Sequence, residues 1–258
     1  MIIDIHARLD YKLAPNTTVL LQIETASLPD QRIVDTTTDV PDPEIFVRVP
    51  AEDQIGERSW IVPGERLLCD YRARVEIDRP RVKLAGLAVT PSHELPGEVV
   101  KYTLGSRFIV PELFAPFVAK QFEGLEGGDL VAKARDWIER SLSYVPGASN
   151  GTTTAADTFM THQGICRDYA HLMVAFARAG GIPARMVSVY APSVEPPDFH
   201  AVSEVFLDGA WHLVDATGMA DAASMAKIGV GRDAADIAFL TIMGENELVE
   251  QDVMVKEV

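Results

Sequence analysis

Cys166 is placed to act as a nucleophile. It stands in Gly164-Ile165-Cys166, directly ahead of a run with helical spacing. The thiolate is the reactive form of cysteine, and the unpaired N–H groups at a helix start favour it. Gly164 lets another backbone approach closely at that point. Behind Cys166 the same helix face carries Ala170, Met173 and Ala177, all small or apolar, so the face reads as buried and the helix end as rigidly held. A packed, inert thiol is the competing reading, because free cysteine is among the most buried residue types.

A nucleophilic cysteine needs a base, and the base needs an orienting group. Six histidines are available. His6 lies in an N-terminal strand pattern and His93 in a connector. His171 follows Cys166 on the same helix, about 140° around the axis, and cannot share its face. His162 has no evident acid partner, and His212 beside Trp211 reads as surface or packing. His200 opens the first strand of a hairpin whose turn is Asp208-Gly209, a strong short-range hairpin signal. With a two-residue turn, Leu207 faces Ala210. Counting outward, Val202 faces Asp215 and His200 faces Thr217. His200 and Asp215 then share a sheet face as diagonal neighbours within side-chain reach. A slip of one residue would separate them. The order Cys…His…Asp suits an acyl-transfer site, although His200 and Asp215, each taken alone, read as ordinary loop-end polar residues.

The elements that must position these residues change character along the chain. The first hundred residues read as β. Ile3, Ile5, Ala7, Leu9 and Tyr11 alternate with polar residues, and further strands are expected over 17–25, 44–49, 58–62 and 67–77. Pro15-Asn16, Pro29-Asp30, Pro41-Asp42-Pro43 and Pro63-Gly64 separate them, a pattern that suggests a sandwich-like sheet. Cys69 in this half reads as a small packed hydrophobe. A connector runs from about Pro80 to Gly105. Helices are expected over 111–122 and 129–144, the second capped by Asp129 and ended by Pro146-Gly147. Thr154 with Asp157 could form a capping box. A helix over 165–179 stops at Gly180-Gly181, a strand follows through Met186 to Tyr190, then the hairpin, then a strand-like tail over 247–255. The resulting expectation is an α+β protein, with an N-terminal β-rich domain over 1–105 and a catalytic core over 106–258.

The chain has 258 residues, enough for one large domain or two modest ones. Its net charge of −15 repels phosphate backbones, so no nucleic-acid partner is expected. Two cysteines are too few for a disulfide framework, and without a CxxC pair or an HExxH motif neither a metal nor another cofactor is expected. The apolar runs are too short for a membrane helix, and MIIDIHARLDYKL reads as a strand rather than a signal peptide, so no membrane association and a cytoplasmic location are expected.

The segments GICRDYAHLMVAFARAGGIPAR and DFHAVSEVFLDGAWHLVDAT resemble the core of the transglutaminase-like superfamily, and in particular its bacterial cysteine-protease branch. The family's G-x-C-x-D-[FY]-A segment is matched by Gly164, Cys166, Asp168, Tyr169 and Ala170. Its H-A-x-x-E-V segment is matched by His200, Ala201, Glu204 and Val205, and its W-x-x-x-D segment by Trp211 and Asp215. The resemblance extends over the β-rich half and over Gly231 to Asp236. Val202 and Ala216 depart from it, where the family often has an aromatic residue and a proline. The resemblance implies a papain-like core, a central helix packed on an antiparallel sheet, with Cys166 as nucleophile, His200 as base and Asp215 as orienting acid. It also implies an oxyanion site made by the Cys166 N–H and a side-chain donor, for which Gln163 is the candidate. A peptide or protein substrate follows, with hydrolysis expected because water is the default acceptor. Transfer to an amine, or a catalytically silent peptide-binding or scaffold module, are the alternatives. Asp168 reads as a first-turn carboxylate suited to the helix dipole.

Overall fold

The computed structural model describes residues 1–258. Six strands form in the first third: β1 (Ile2–Leu13), β2 (Thr18–Leu21), β3 (Gln31–Asp39), β4 (Ile45–Pro50), β5 (Glu57–Val62) and β6 (Arg66–Ile77). The middle carries α1 (Gly97–Val100), α2 (Ala115–Gln121), α3 (Gly127–Ser141), β7 (Ser143–Tyr144), α4 (Ala155–Thr161), β8 (Gln163–Gly164) and α5 (Cys166–Ala179). The remainder is β9 (Ala184–Tyr190), β10 (His200–Leu207), β11 (Ala210–Val214), β12 (Ala226–Gly231), α6 (Ala234–Ile237), β13 (Leu240–Met243) and β14 (Asn246–Glu257).

Two four-stranded sheets, ordered β14-β1-β6-β3 and β13-β2-β5-β4, share one core. Alternation drives this half. Ile3, Ile5, Ala7, Leu9, Tyr11 and Leu13 of β1 are buried, as are Leu67, Cys69, Tyr71, Ala73, Val75 and Ile77 of β6. Each large apolar side chain so removed from water contributes about 1.5–3 kcal/mol before the cost of ordering the chain.

The tail does not stay with the core to which its sequence assigned it. β13 pairs antiparallel with β2, and β14 pairs with β1 from Ile3↔Glu257 to Leu13↔Asn246. Most of β14 is exposed, with only Val253 buried, so its own sequence carries no signal of the sheet it joins. β3 forms where no strand was expected. Gln31 is its one buried residue, and pairing with β6, not apolar alternation, holds it.

The second half is built on α5. Twelve of its residues between Cys166 and Arg178 are buried, so the helix is central rather than a surface element. It packs on β9 and β10 of the antiparallel sheet β11-β10-β9-β12, with α2, α3 and α4 against its other sides. Arg178 anchors its C-terminal end, donating to the carbonyls of Ala184 (3.0 Å), Leu104 (2.8 Å) and Arg232 (2.8 Å). The helix expected over 129–144 begins at Gly127, with Asp129 in its first turn, and ends at Ser141. Residues 143–144 instead form β7, parallel to β8.

Polar contacts join the halves. Glu204 on β10 is fully buried between Arg185 of β9 (2.7 Å) and Lys227 of β12, and Arg185 reaches Asp53 (3.0 Å) in the N-terminal half. Burial alone would raise the Glu204 carboxyl, but Lys227 and Arg185 outweigh it and hold it below the usual range. The Arg185 guanidinium also lies 4.1 Å over the Trp211 ring. No helix is long and apolar enough to cross a membrane.

Candidate active site

Cys166 is the first residue of α5, at the helix end where backbone N–H groups are unpaired. The entry is fixed by Asp168, which is fully buried. Its carboxylate accepts from the Ile165 N–H (2.9 Å), the Ser149 hydroxyl (2.5 Å) and Arg167 (2.8 Å), while Arg167 also donates to the Asn150 carbonyl. Asp168 therefore holds the turn that carries Cys166 and has no group of its own at the sulfur. Gly164 is required by the same packing: a Cβ there would meet Asp168 Cβ at 2.6 Å and Oδ2 at 2.8 Å.

His200 and Asp215 are brought together by the hairpin. β10 and β11 pair from Leu207↔Ala210 to Ser203↔Val214, the register counted from a two-residue turn. Asp208 and Gly209 both have positive φ, 49° and 74°, as a type I′ turn requires. Continued outward, that register sets His200 and Asp215 on one face. His200 Nε2 lies 3.0 Å from Asp215 Oδ2, with the histidine only 2% exposed. The other contacts of Asp215 fix its orientation. Oδ1 accepts from the Thr217 N–H (2.8 Å) and hydroxyl (2.7 Å), and Oδ2 also accepts from the Ala220 N–H (3.0 Å). An ionised carboxylate can only accept, so Nε2 carries the proton toward Asp215, and Nδ1, buried with no hydrogen-bond partner, is the ring nitrogen left for the thiol.

The electrostatics follow from this arrangement. Burial opposes a charge on His200, but the hydrogen bonds and charges of Asp215 and Cys166 outweigh it and raise its pKa from 6.5 to about 9. The same imidazolium, with Thr217, overcomes burial to hold Asp215 below its ordinary value. The site is thus built to keep a protonated imidazole beside a sulfur at neutral pH.

The other histidines stand apart from it. His171 is wholly buried among core residues, stacked on Phe108, and its Nε2 accepts from the Ala234 N–H at 3.1 Å. Burial lowers its pKa to about 4, so it is neutral. Cys69 is buried in β6, where burial pushes the thiol up to about 12, leaving it inert. Gln163 is exposed on β8 and its side chain makes no hydrogen bond.

A family model described as "Transglutaminase-like superfamily" matches residues 118–216, which include Cys166, His200 and Asp215. Residues 118–216 therefore carry a transglutaminase-like domain. The transglutaminase-like match and a solved relative agree on the architecture. A crystal structure of a "putative cysteine protease" from Cytophaga hutchinsonii is 28% identical. It superposes with a TM-score of 0.90 over 99% of this chain and 90% of that one. An uncharacterized protein of Mycobacterium leprae is 31% identical over 118 residues. The match covers 42% of each, so the chain spans less than half the length of this curated relative. The periplasmic domain of TgpA from Pseudomonas aeruginosa, bound to ethylmercury, is 17% identical with a TM-score of 0.42, covering 82% of this chain and 76% of that one. The transglutaminase-like fold, with the Cytophaga neighbour, supports a cysteine-dependent activity in general.

Sequence reasoning missed Tyr144 at this site. Read as the last turn of a helix, it instead ends β7, with its Cα paired to that of Gly164. That places it close to Cys166, where burial first and the neighbouring cysteine second raise the pKa of its hydroxyl. The only local signal was Pro146-Gly147, which forces the chain out of the helix just beyond it.

Proposed function

We propose that this chain is a cysteine-dependent acyl-transfer enzyme that cleaves amide bonds in peptide or protein substrates by hydrolysis. The observation that carries the reading is His200, clamped at 3.0 Å by a buried, fully hydrogen-bonded Asp215 and interacting with Cys166 at a helix start. In this reading the Cys166 sulfur attacks the substrate carbonyl carbon, and the C=O electron pair moves to oxygen. Collapse of that intermediate re-forms the carbonyl and breaks the C–N bond as the His200 imidazolium protonates the leaving amine. The neutral imidazole then takes a proton from water as its oxygen attacks the thioester, and the S–C bond breaks to regenerate Cys166. Asp215 keeps the proton on Nε2 and supports the charged imidazole without itself taking a proton. The name given to the Cytophaga neighbour favours a peptidase among cysteine chemistries.

Profiling of the protein against a peptide library by mass spectrometry tests this. Cleaved peptides that disappear with Cys166→Ala are expected. An added primary amine distinguishes the acceptors: carboxylate products alone sustain hydrolysis, whereas amine adducts as the main product overturn it in favour of transamidation. If wild-type and Cys166→Ala protein give the same peptides, the enzymatic reading fails.

A further inference from the structure

The Tyr144 hydroxyl has no place in the reaction as written above, yet it lies near the reacting atom. Tyr144 ends β7, whose parallel pairing with β8 sets its Cα opposite Gly164, two residues before the nucleophile. The Val145 N–H donates to the Gly164 carbonyl at 2.9 Å and continues that pairing past the tyrosine. The ring packs on Tyr169 of α5 with centroids 5.9 Å apart, which fixes its direction. The side chain is half-buried, and its hydroxyl is close enough to Cys166 for the cysteine's thiol and backbone N–H to act on its pKa.

We propose that Tyr144 is a catalytic residue whose hydroxyl, with the Cys166 backbone N–H, holds the oxyanion formed when Cys166 adds to a carbonyl. This rests on the acyl-transfer reading above and assigns its second oxyanion donor. A group that stabilises an oxyanion must be a donor, must be fixed before reaction, and must lie beside the nucleophile's own N–H. Tyr144 meets each requirement. Burial first, and the negative charge at Cys166 second, hold its hydroxyl well above the ordinary phenol value, so it stays protonated. Its position is set by a strand and a ring contact rather than by a loop. As the Cys166 S–C bond forms, the carbonyl electron pair moves onto oxygen, and the two donors bind that charge. When the C–N bond breaks the carbonyl re-forms, and no proton leaves the tyrosine. Gln163, exposed and without a hydrogen bond, lacks the fixed placement that this role needs.

The test uses Tyr144→Phe, which keeps the ring contact with Tyr169. Two reactions of Cys166 are compared by intact mass: acylation by p-nitrophenyl acetate, which passes through an oxyanion, and alkylation by iodoacetamide, which does not. Acylation is expected to fall about tenfold or more, the lower reach for an activated ester of the roughly hundred- to thousandfold effect of losing an oxyanion donor. Alkylation is expected to stay within about threefold of wild type, since displacement at iodoacetamide builds no oxyanion. Equal loss of both rates would mark a merely structural role and overturn the proposal. So would unchanged acylation, or a gain in both rates, which would mean that the hydroxyl obstructs the cysteine. If wild-type Cys166 is alkylated but not acylated, the acyl-transfer reading itself fails and takes this assignment with it. Normal wild-type acylation with unchanged Tyr144→Phe acylation overturns the assignment alone.

Discussion

Asp215→Asn removes the negative charge beside His200 and leaves a side chain of nearly the same shape. The magnitude follows from the geometry. A full charge 3.0 Å from Nε2 acts on the imidazolium with a gross energy of about 5 kcal/mol at an effective dielectric of about 20. The net rise of His200 from 6.5 to about 9 corresponds to about 3 kcal/mol, the remainder being consumed by burial. Without the charge, burial of an imidazole only 2% exposed is opposed by Cys166 alone, so the His200 pKa is expected to drop below 6.5. The asparagine also cannot satisfy every donor. Asp215 accepts from Thr217, Ala220 and His200 with two oxygens, whereas an amide has one. Where the amide NH2 faces the imidazole, Nε2 must accept and Nδ1 carries the proton, the wrong tautomer to take one from a thiol. Imidazole nitrogen NMR across a pH titration reads the pKa and the tautomer directly, and iodoacetamide kinetics at neutral pH read the consequence for Cys166. A fall in alkylation rate of about a hundredfold is expected, on the scale of ~1.4 kcal/mol per factor of ten. A variant whose His200 still titrates near 9, or whose Cys166 alkylates at the wild-type rate, would refute the reasoning.

Other consequences are open to measurement. In the folded protein His200 holds its proton up to about 9, against 6.5 in the unfolded chain, so its contribution to stability is complete below the lower value and vanishes as pH rises through the upper one. Wild-type Tm should therefore fall over that window more steeply than that of Asp215→Asn, and parallel curves would contradict it. Gly164→Ala forces Asp168 away from the helix entry, and denaturant unfolding should show a loss of about 1–3 kcal/mol together with slower Cys166 alkylation. Glu204→Gln leaves Arg185 and Lys227 as cations with no carboxylate between them, at a cost of about 3–5 kcal/mol by the same assay. A cost below about 1 kcal/mol would mean that water already screens the group. Gly209→Val places a β-branched residue at φ 74° and should weaken the hairpin by about 1–2 kcal/mol, lowering Tm and the His200 pKa together.

The fold and the candidate site were legible in the sequence wherever the information is local. Alternation along β1 and β6 is written into the residues themselves, because a strand shows one face to a core every second residue. The start of α5 at Cys166 and the stop at Gly180-Gly181 follow from helix-terminal chemistry. The pairing of His200 with Asp215 could be counted because Asp208-Gly209 admits a two-residue turn, and a turn fixes register. The return of β13 and β14 to the N-terminal sheets, the strand β3 with its single buried residue, and the placement of Tyr144 beside Gly164 were decided only in three dimensions. Each is a pairing between segments far apart in the chain, or a two-residue strand too short to show a period. Backbone hydrogen bonds, which are indifferent to side-chain type, hold them in place. Cys166, His200 and Asp215 could therefore be put forward as candidates from their residue types and spacing, whereas the tyrosine near them became visible only when β7 closed against β8.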